Sequence, residues 1–193
     1  CFFAAGVGLL NFTERCVVKY LRHRNPRVRE IAAHTACALI APTPGQQLKS
    51  SGPGAEVVEG VIRLLLQVCV NDGDERVRAT ILREFTHRFD SMLCQSQHLD
   101  TLSLLIYDSS FDVRKLALQL LGQLAGSNPA YVLPPLRQTL ISLVTELRQN
   151  TDVVGKEEAT LLLTHFLQAD ALQRVVRPFK SAIVQSLPLT GDP

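Results

Sequence analysis

Five histidines, five cysteines and a run of basic residues are the side chains here that could do chemistry, and their spacing excludes most of it. His23, His34, His87, His98 and His165 stand at no zinc-ligand interval from Cys1, Cys16, Cys37, Cys69 or Cys94, and no CxxC pair occurs. An odd number of widely spaced cysteines fits a reducing compartment in which the thiols serve as small core residues. No phosphate-cradling GxxxxGK(S/T), dinucleotide GxGxxG, nucleophile-elbow GxSxG or zinc-binding HExxH segment is present. Lys19, Arg22, Arg24, Arg27 and Arg29 cluster around one turn, where a basic ridge could meet phosphates. Glu14 and Glu30 dilute that cluster and Tyr20 is its one stacking aromatic, so a solvated turn is the favoured reading.

Composition narrows the field further. Twenty Lys+Arg against 18 Asp+Glu leave a formal charge of +2, too small to imply a polyanionic partner by itself. With 46% hydrophobic and 20% charged residues the chain is not globally disordered. Its uncharged stretches fall short of the roughly 20 apolar residues of a membrane helix. The apolar opening Cys1–Leu10 lacks the basic flank of a signal peptide, so the sequon Asn11-Phe12-Thr13 reads as accidental. His87-Arg88-Phe89-Asp90 starts like a kinase catalytic loop, but it lacks the adjacent Arg-Asp pair and no Asp-Phe-Gly follows.

The elements that carry these residues read as helices. Val28, Ile31, Ala32, Thr35, Ala36 and Leu39 follow the i, i+3, i+4, i+7 spacing of one helix face, and Val113, Leu116, Ala117, Leu120, Leu121 and Leu124 repeat it. Further stripes run through Leu136–Leu147, Ala159–Leu167 and Leu172–Ile183, and Val57–Val70 is apolar almost all round. Asn25 before Pro26, Asp72 or Asp74, and Ser109 or Ser110 supply helix starts. Asn128-Pro129 and Pro134-Pro135 punctuate the chain before the Leu136 stripe. No period-2 strand pattern appears.

Three of the starts share a local pattern: Arg27-Val28-Arg29, Arg76-Val77-Arg78 and Asp112-Val113-Arg114. Val28 and Val77 are 49 residues apart and Val77 and Val113 are 36 apart; a 14-residue loop at 41–54 accounts for the difference. That period, with two helices per unit, signals an all-α, α-α superhelix of HEAT/armadillo-like solenoid type. Four helix pairs are expected at about 10–40, 55–89, 96–125 and 130–169, with a further helix at 171–187 and a mobile loop at 41–54. Val153-Val154-Gly155-Lys156-Glu157 holds the fourth start in degenerate form. Arg27, Arg29, Glu75, Arg76, Arg78, Asp112 and Arg114 are expected to form a ladder between repeats: the acids complement helix dipoles and the arginines reach acidic side chains of the adjacent repeat. Neither end carries a polar cap, so the chain reads as an excerpt from a longer solenoid with Cys1 and Pro193 as break points.

Finer motifs carry a resemblance. Asp74-Glu75-Arg76-Val77-Arg78 leads into Arg88-Phe89-Asp90 and Gln97-His98-Leu99; Phe111-Asp112-Val113-Arg114-Lys115-Leu116-Ala117 leads into Gly122-Gln123-Leu124. Asn128-Pro129-Ala130-Tyr131-Val132-Leu133-Pro134 is the sharpest block, followed by Leu143-Val144-Thr145-Glu146-Leu147, Lys156-Glu157-Glu158 and Val176-Arg177-Pro178. Over residues 74–193 these resemble the N-terminal HEAT region of the target-of-rapamycin (TOR) kinases. Val154-Gly155 departs from the basic–aliphatic pair more usual in that family. The resemblance implies a parent serine/threonine kinase of nutrient and growth signalling whose ATP and magnesium site lies outside this segment, which itself needs no cofactor. It further implies a non-catalytic scaffold, intracellular and cytoplasmic with the nucleus and endomembrane surface as further family locations, that binds a Raptor-like subunit or a companion protomer; the family's propeller-type subunit contacts the kinase domain and is not assigned here. A HEAT adaptor of another class (a transport or phosphatase scaffold) and a basic solenoid binding nucleic acid are the alternatives.

Overall fold

The computed structural model describes residues 7–42, 53–149, 152–168 and 172–186. The start of the apolar opening segment, most of the loop expected at 41–54 and the Gly191-Asp192-Pro193 end lie outside them. The fold is all-α, built from packed helical repeats of the α-α solenoid class, with no strand among the described residues. It divides into two compact units, Cys1–Leu105 and Ile106–Pro193.

In the first unit α1 (Val7–Phe12) passes through a π-helical turn, Thr13–Val17, into the short α2 (Val18–Tyr20). Helices α3 (Pro26–Ile40), α4 (Pro53–Asn71), α5 (Glu75–Glu84), α6 (Asp90–Leu93) and α7 (Ser96–Leu104) follow. Helix α3 packs on α5, passing over α4, and α4 packs on α7, passing over α5 and the short α6, while α4 and α5 also pack as neighbours. That alternation is how a two-helix repeat buries an apolar stripe it cannot cover alone. Ala33, Ala36, Cys37, Ile62, Leu65, Cys69, Val77 and Ile81 form its interior. Val28, expected to point inward like Val77, is only half-buried.

In the second unit α8 (Phe111–Leu124), α9 (Pro129–Gln149), α10 (Val153–Gln168), α11 (Gln173–Val176) and α12 (Lys180–Ser186) repeat the scheme: α8 packs on α10, and α9 on α11 and α12. Val113, Ala117, Leu121, Leu124, Val132, Leu136, Leu140, Leu163 and Phe166 are buried between them.

Three helices differ from their sequence-based outlines for local reasons. The helix read as continuing to residue 89 stops at Glu84, and the chain resumes as a 3-10 turn, His87–Phe89. The break lets Phe85 and Phe89 both face the interior, edge to face with centroids 5.6 Å apart. The helix read at 171–187 is interrupted by the 3-10 turn Arg177–Phe179, where Pro178 has no N–H to continue the ladder. Conversely, Pro134 and Pro135, read as punctuation, lie inside α9. Each removes a backbone donor, yet the buried face through Val132, Leu136, Thr139 and Leu140 keeps the helix in one piece.

Candidate functional site

Counting from the residue that caps each helix aligns three starts. Asn25, Asp74 and Ser110 precede α3, α5 and α8. Asn25 Oδ1 accepts from the Arg27 N–H, and Asp74 Oδ1 from the Arg76 N–H, each at 2.9 Å. Ser110 makes no such side-chain bond. Two residues before each cap stand His23, Asp72 and Asp108, whose side chains accept the cap residue's own N–H at 3.1, 2.9 and 2.8 Å. The turns are therefore closed the same way at all three places, by an imidazole nitrogen once and a carboxylate twice.

Four residues after each cap comes an arginine, and each arginine reaches back across its own turn. Arg29 Nη1 donates to His23 O at 2.8 Å and to Arg24 O at 3.2 Å. Arg78 Nη1 donates to Asp72 O at 2.7 Å, and Arg114 Nη1 to Asp108 O at 2.9 Å and Ser109 O at 3.1 Å. Carbonyls that a turn would leave without partners are thus satisfied by charged donors. Arg114 also lies over the Phe111 ring, 5.7 Å from its centroid.

The rest of the guanidinium joins one repeat to the next. Arg29 meets Asp72 as a two-bond fork, Nε to Oδ2 at 2.6 Å and Nη2 to Oδ1 at 2.7 Å, with 16% and 5% of the two side chains exposed. Arg114 Nη2 donates to Glu158 Oε2 of α10 at 2.5 Å. Burial by itself would raise the Asp72 carboxyl, but the Arg29 fork and the Asp74 N–H outweigh it and hold the carboxyl below its usual value. The same hydrogen-bonded pair holds the Arg29 guanidinium above its usual value against the opposing effect of burial.

Of the seven residues expected in the ladder, Arg29, Arg78 and Arg114 sit in these clasps. Arg27, Arg76, Glu75 and Asp112 lie on the exposed side of the first helical turn. Arg27 pairs at 3.5 Å with Glu30 of its own helix and Asp112 at 3.8 Å with Lys115. In the sequence Asp72 stands out only as a candidate helix start, Glu158 only as part of a motif and Asp108 not at all, although Asp72 to Arg78 and Asp108 to Arg114 share a six-residue interval that marks two of them as partners of the ladder. At α10 Asp152 Oδ2 accepts from the Gly155 N–H at 3.0 Å, so Gly155 stands where Val113 stands in α8 and Lys156 where Arg114 stands.

Among the described residues no group of three or more His, Cys, Asp or Glu is placed to hold a metal ion. Cys37 is fully buried, and burial, with Glu84 nearby, pushes its thiol up to about 12, far from a reactive thiolate. Cys69 is buried too, whereas Cys16, expected as a core residue, is exposed on the π-helical turn, and Cys94 is half-buried. His87 and Asp90 pair at 3.2 Å on an exposed turn, with Phe89 between them anchored in the core. Tyr131 and Ile141 are exposed on α9, and Ile141 lines a shallow groove there with Pro129, Leu133, Pro134 and Arg137.

No family model matches the chain. Among curated proteins it is 32% identical over 181 residues to the serine/threonine-protein kinase mTor of Drosophila melanogaster, covering 93% of the chain and 7% of that protein. To the serine/threonine-protein kinase tor1 of Schizosaccharomyces pombe it is 31% identical over 192 residues, covering 99% of the chain and 8% of the relative. To the serine/threonine-protein kinase TOR of Arabidopsis thaliana it is 31% identical over 192 residues, again 8% of the relative. The chain therefore spans less than a tenth of the length of these relatives. Similarity along nearly the whole chain to TOR kinases of such distant organisms places it in the target-of-rapamycin kinase family, as a TOR-like segment.

Proposed function

We propose that the chain is a non-catalytic scaffold segment of a TOR-type serine/threonine kinase. Its helical repeats hold accessory subunits of the kinase complex. The observation that carries this reading is the disposition of charge: Arg29, Arg78 and Arg114 are committed to turns inside the fold, leaving surfaces such as the α9 face for partners. Solenoids bind through surfaces assembled from successive repeats rather than through an enclosed centre. A Raptor-like subunit or a companion protomer is the proposed partner. ATP and magnesium belong to the parent kinase outside this segment, which needs no cofactor of its own, and the setting is intracellular and cytoplasmic. Co-precipitation of residues 1–193 with a Raptor-like subunit tests the partner: retention by the wild-type chain and loss in Tyr131→Ala with Ile141→Ser is expected. Absence of binding by the wild-type chain sinks it.

A further inference from the structure

Helix α9 divides its surface between two uses. Val132, Leu136, Leu140 and Leu143 are buried against its neighbours in the second unit. On the flank of the same helix the shallow groove runs over Ala130, Leu133, Pro134, Arg137, Gln138 and Ile141. Those positions recur at three- and four-residue steps and so form one stripe. Leu133 is half-buried and the other five are exposed. A single exposed apolar side chain is ordinary, whereas several in register on one stripe make a contact face. The stripe also has an internal order: apolar at Ala130, Leu133 and Pro134, polar at Arg137 and Gln138, apolar again at Ile141. Arg137 is its cation. Three and four residues to either side stand Pro134, Leu133, Leu140 and Ile141, so its own helix offers it no acid. Among the described residues no ion pair or hydrogen bond engages Arg137, whereas Arg29 and Arg114 are spent on Asp72 and Glu158.

We propose that this groove docks an amphipathic helix of a partner protein, one whose inward face carries a carboxylate between two aliphatic side chains. The inference deepens the scaffold reading and rests on it, since it names the kind of segment that the α9 face holds. A helix presents three such side chains on one face at i, i+4 and i+7, a reach close to that from Leu133 through Arg137 to Ile141. The partner's carboxylate takes the Arg137 guanidinium as a fork, and the Gln138 amide beside it is a further donor. The aliphatic side chains cover Leu133 and Pro134 at one end and Ile141 at the other. Closing the groove in this way removes water from around the ion pair and strengthens it. A basic helix of the same shape is rejected, because it sets a like charge against Arg137.

The test uses the 193-residue chain and fluorescence anisotropy. The probes are lactam-bridged, alanine-based helices bearing Leu, Glu and Leu at i, i+4 and i+7, with Gln or Lys replacing the Glu in two further versions. Saturable binding of the Glu helix is expected, about five- to tenfold weaker for the Gln version and weaker still for the Lys version. Arg137→Glu reverses that order, so that the Lys helix becomes the better ligand. Ile141→Ser weakens the Glu helix without reversing the order. Arg148→Glu makes the same charge change on α9 outside the groove and leaves the order as in the wild type. Helical circular dichroism stays unchanged in all three variants. No saturable binding, equal affinity for the Glu and Lys helices, or equal effects of Arg148→Glu and Arg137→Glu overturns the proposal. So does a proline-broken peptide of the same composition that binds as tightly as the helix, and so does self-association of the chain in sedimentation that Arg137→Glu abolishes, which assigns the groove to a second copy. Failure of the helices beside retention of a Raptor-like subunit ends this inference and leaves the scaffold reading standing. Binding of the Glu helix without retention of that subunit supports the groove and removes only that partner.

Discussion

Arg29 uses four of its five N–H hydrogens, two on Asp72 and two on the carbonyls of His23 and Arg24. Truncating it leaves a nearly buried carboxylate without its cation, so Arg29→Ala is expected to cost about 3 kcal/mol in urea unfolding. Arg27→Ala, two residues away but with 74% of its side chain exposed, is expected to change stability by less than about 0.5 kcal/mol. The clasp also sets a pH dependence. The Asp72 carboxyl is depressed in the folded chain, so its contribution is fully present above the unfolded value near 4 and disappears as pH falls through the lower folded value. Unfolding midpoints of wild type and Asp72→Asn should therefore differ near neutrality and converge in acid; a constant difference would show that the carboxylate does not carry the effect. Cysteine reactivity separates in the same way, with Cys16 alkylated in the native state and Cys37 only on unfolding.

At the scale of the helix, the apolar stripes were legible because a 3.6-residue period survives without knowledge of neighbours. Val113 is fully buried in α8, and Val113→Asp is expected to cost several kcal/mol and to melt that helix first, as read by circular dichroism. Asp112→Ala is the contrasting case. From sequence Asp112 is a candidate ladder residue, but it lies exposed beside Lys115, and the expected loss is below about 0.5 kcal/mol. The helix interruptions were less legible. Whether Phe85 and Phe89 both turn inward depends on the elements they meet, and Pro134 and Pro135 are tolerated in α9 only because its opposite face is buried. The acidic halves of the clasps were hidden for a related reason: Asp72 lies 43 residues from Arg29 and Glu158 lies 44 from Arg114, so only the fold brings them together.

For the whole molecule, each inter-repeat clasp closes inside its own unit, Arg29 with Asp72 in the first and Arg114 with Glu158 in the second. Repeat stacks lose stability locally, through intrinsic and nearest-neighbour terms. Arg114→Ala is therefore expected to speed amide exchange in α8 and α10 while leaving α3 and α5 at wild-type rates; uniform acceleration along the chain would count against this. The six-residue reach from each clasp arginine to its carbonyl also constrains how such a chain can change in length. One residue inserted between Asp72 and Arg78, or between Asp108 and Arg114, moves the carbonyl out of register, whereas a substitution at an exposed position such as Glu75 or Asp112 leaves the spacing intact. Related chains should therefore differ by insertions in the connections between repeats, and hardly at all within these turns.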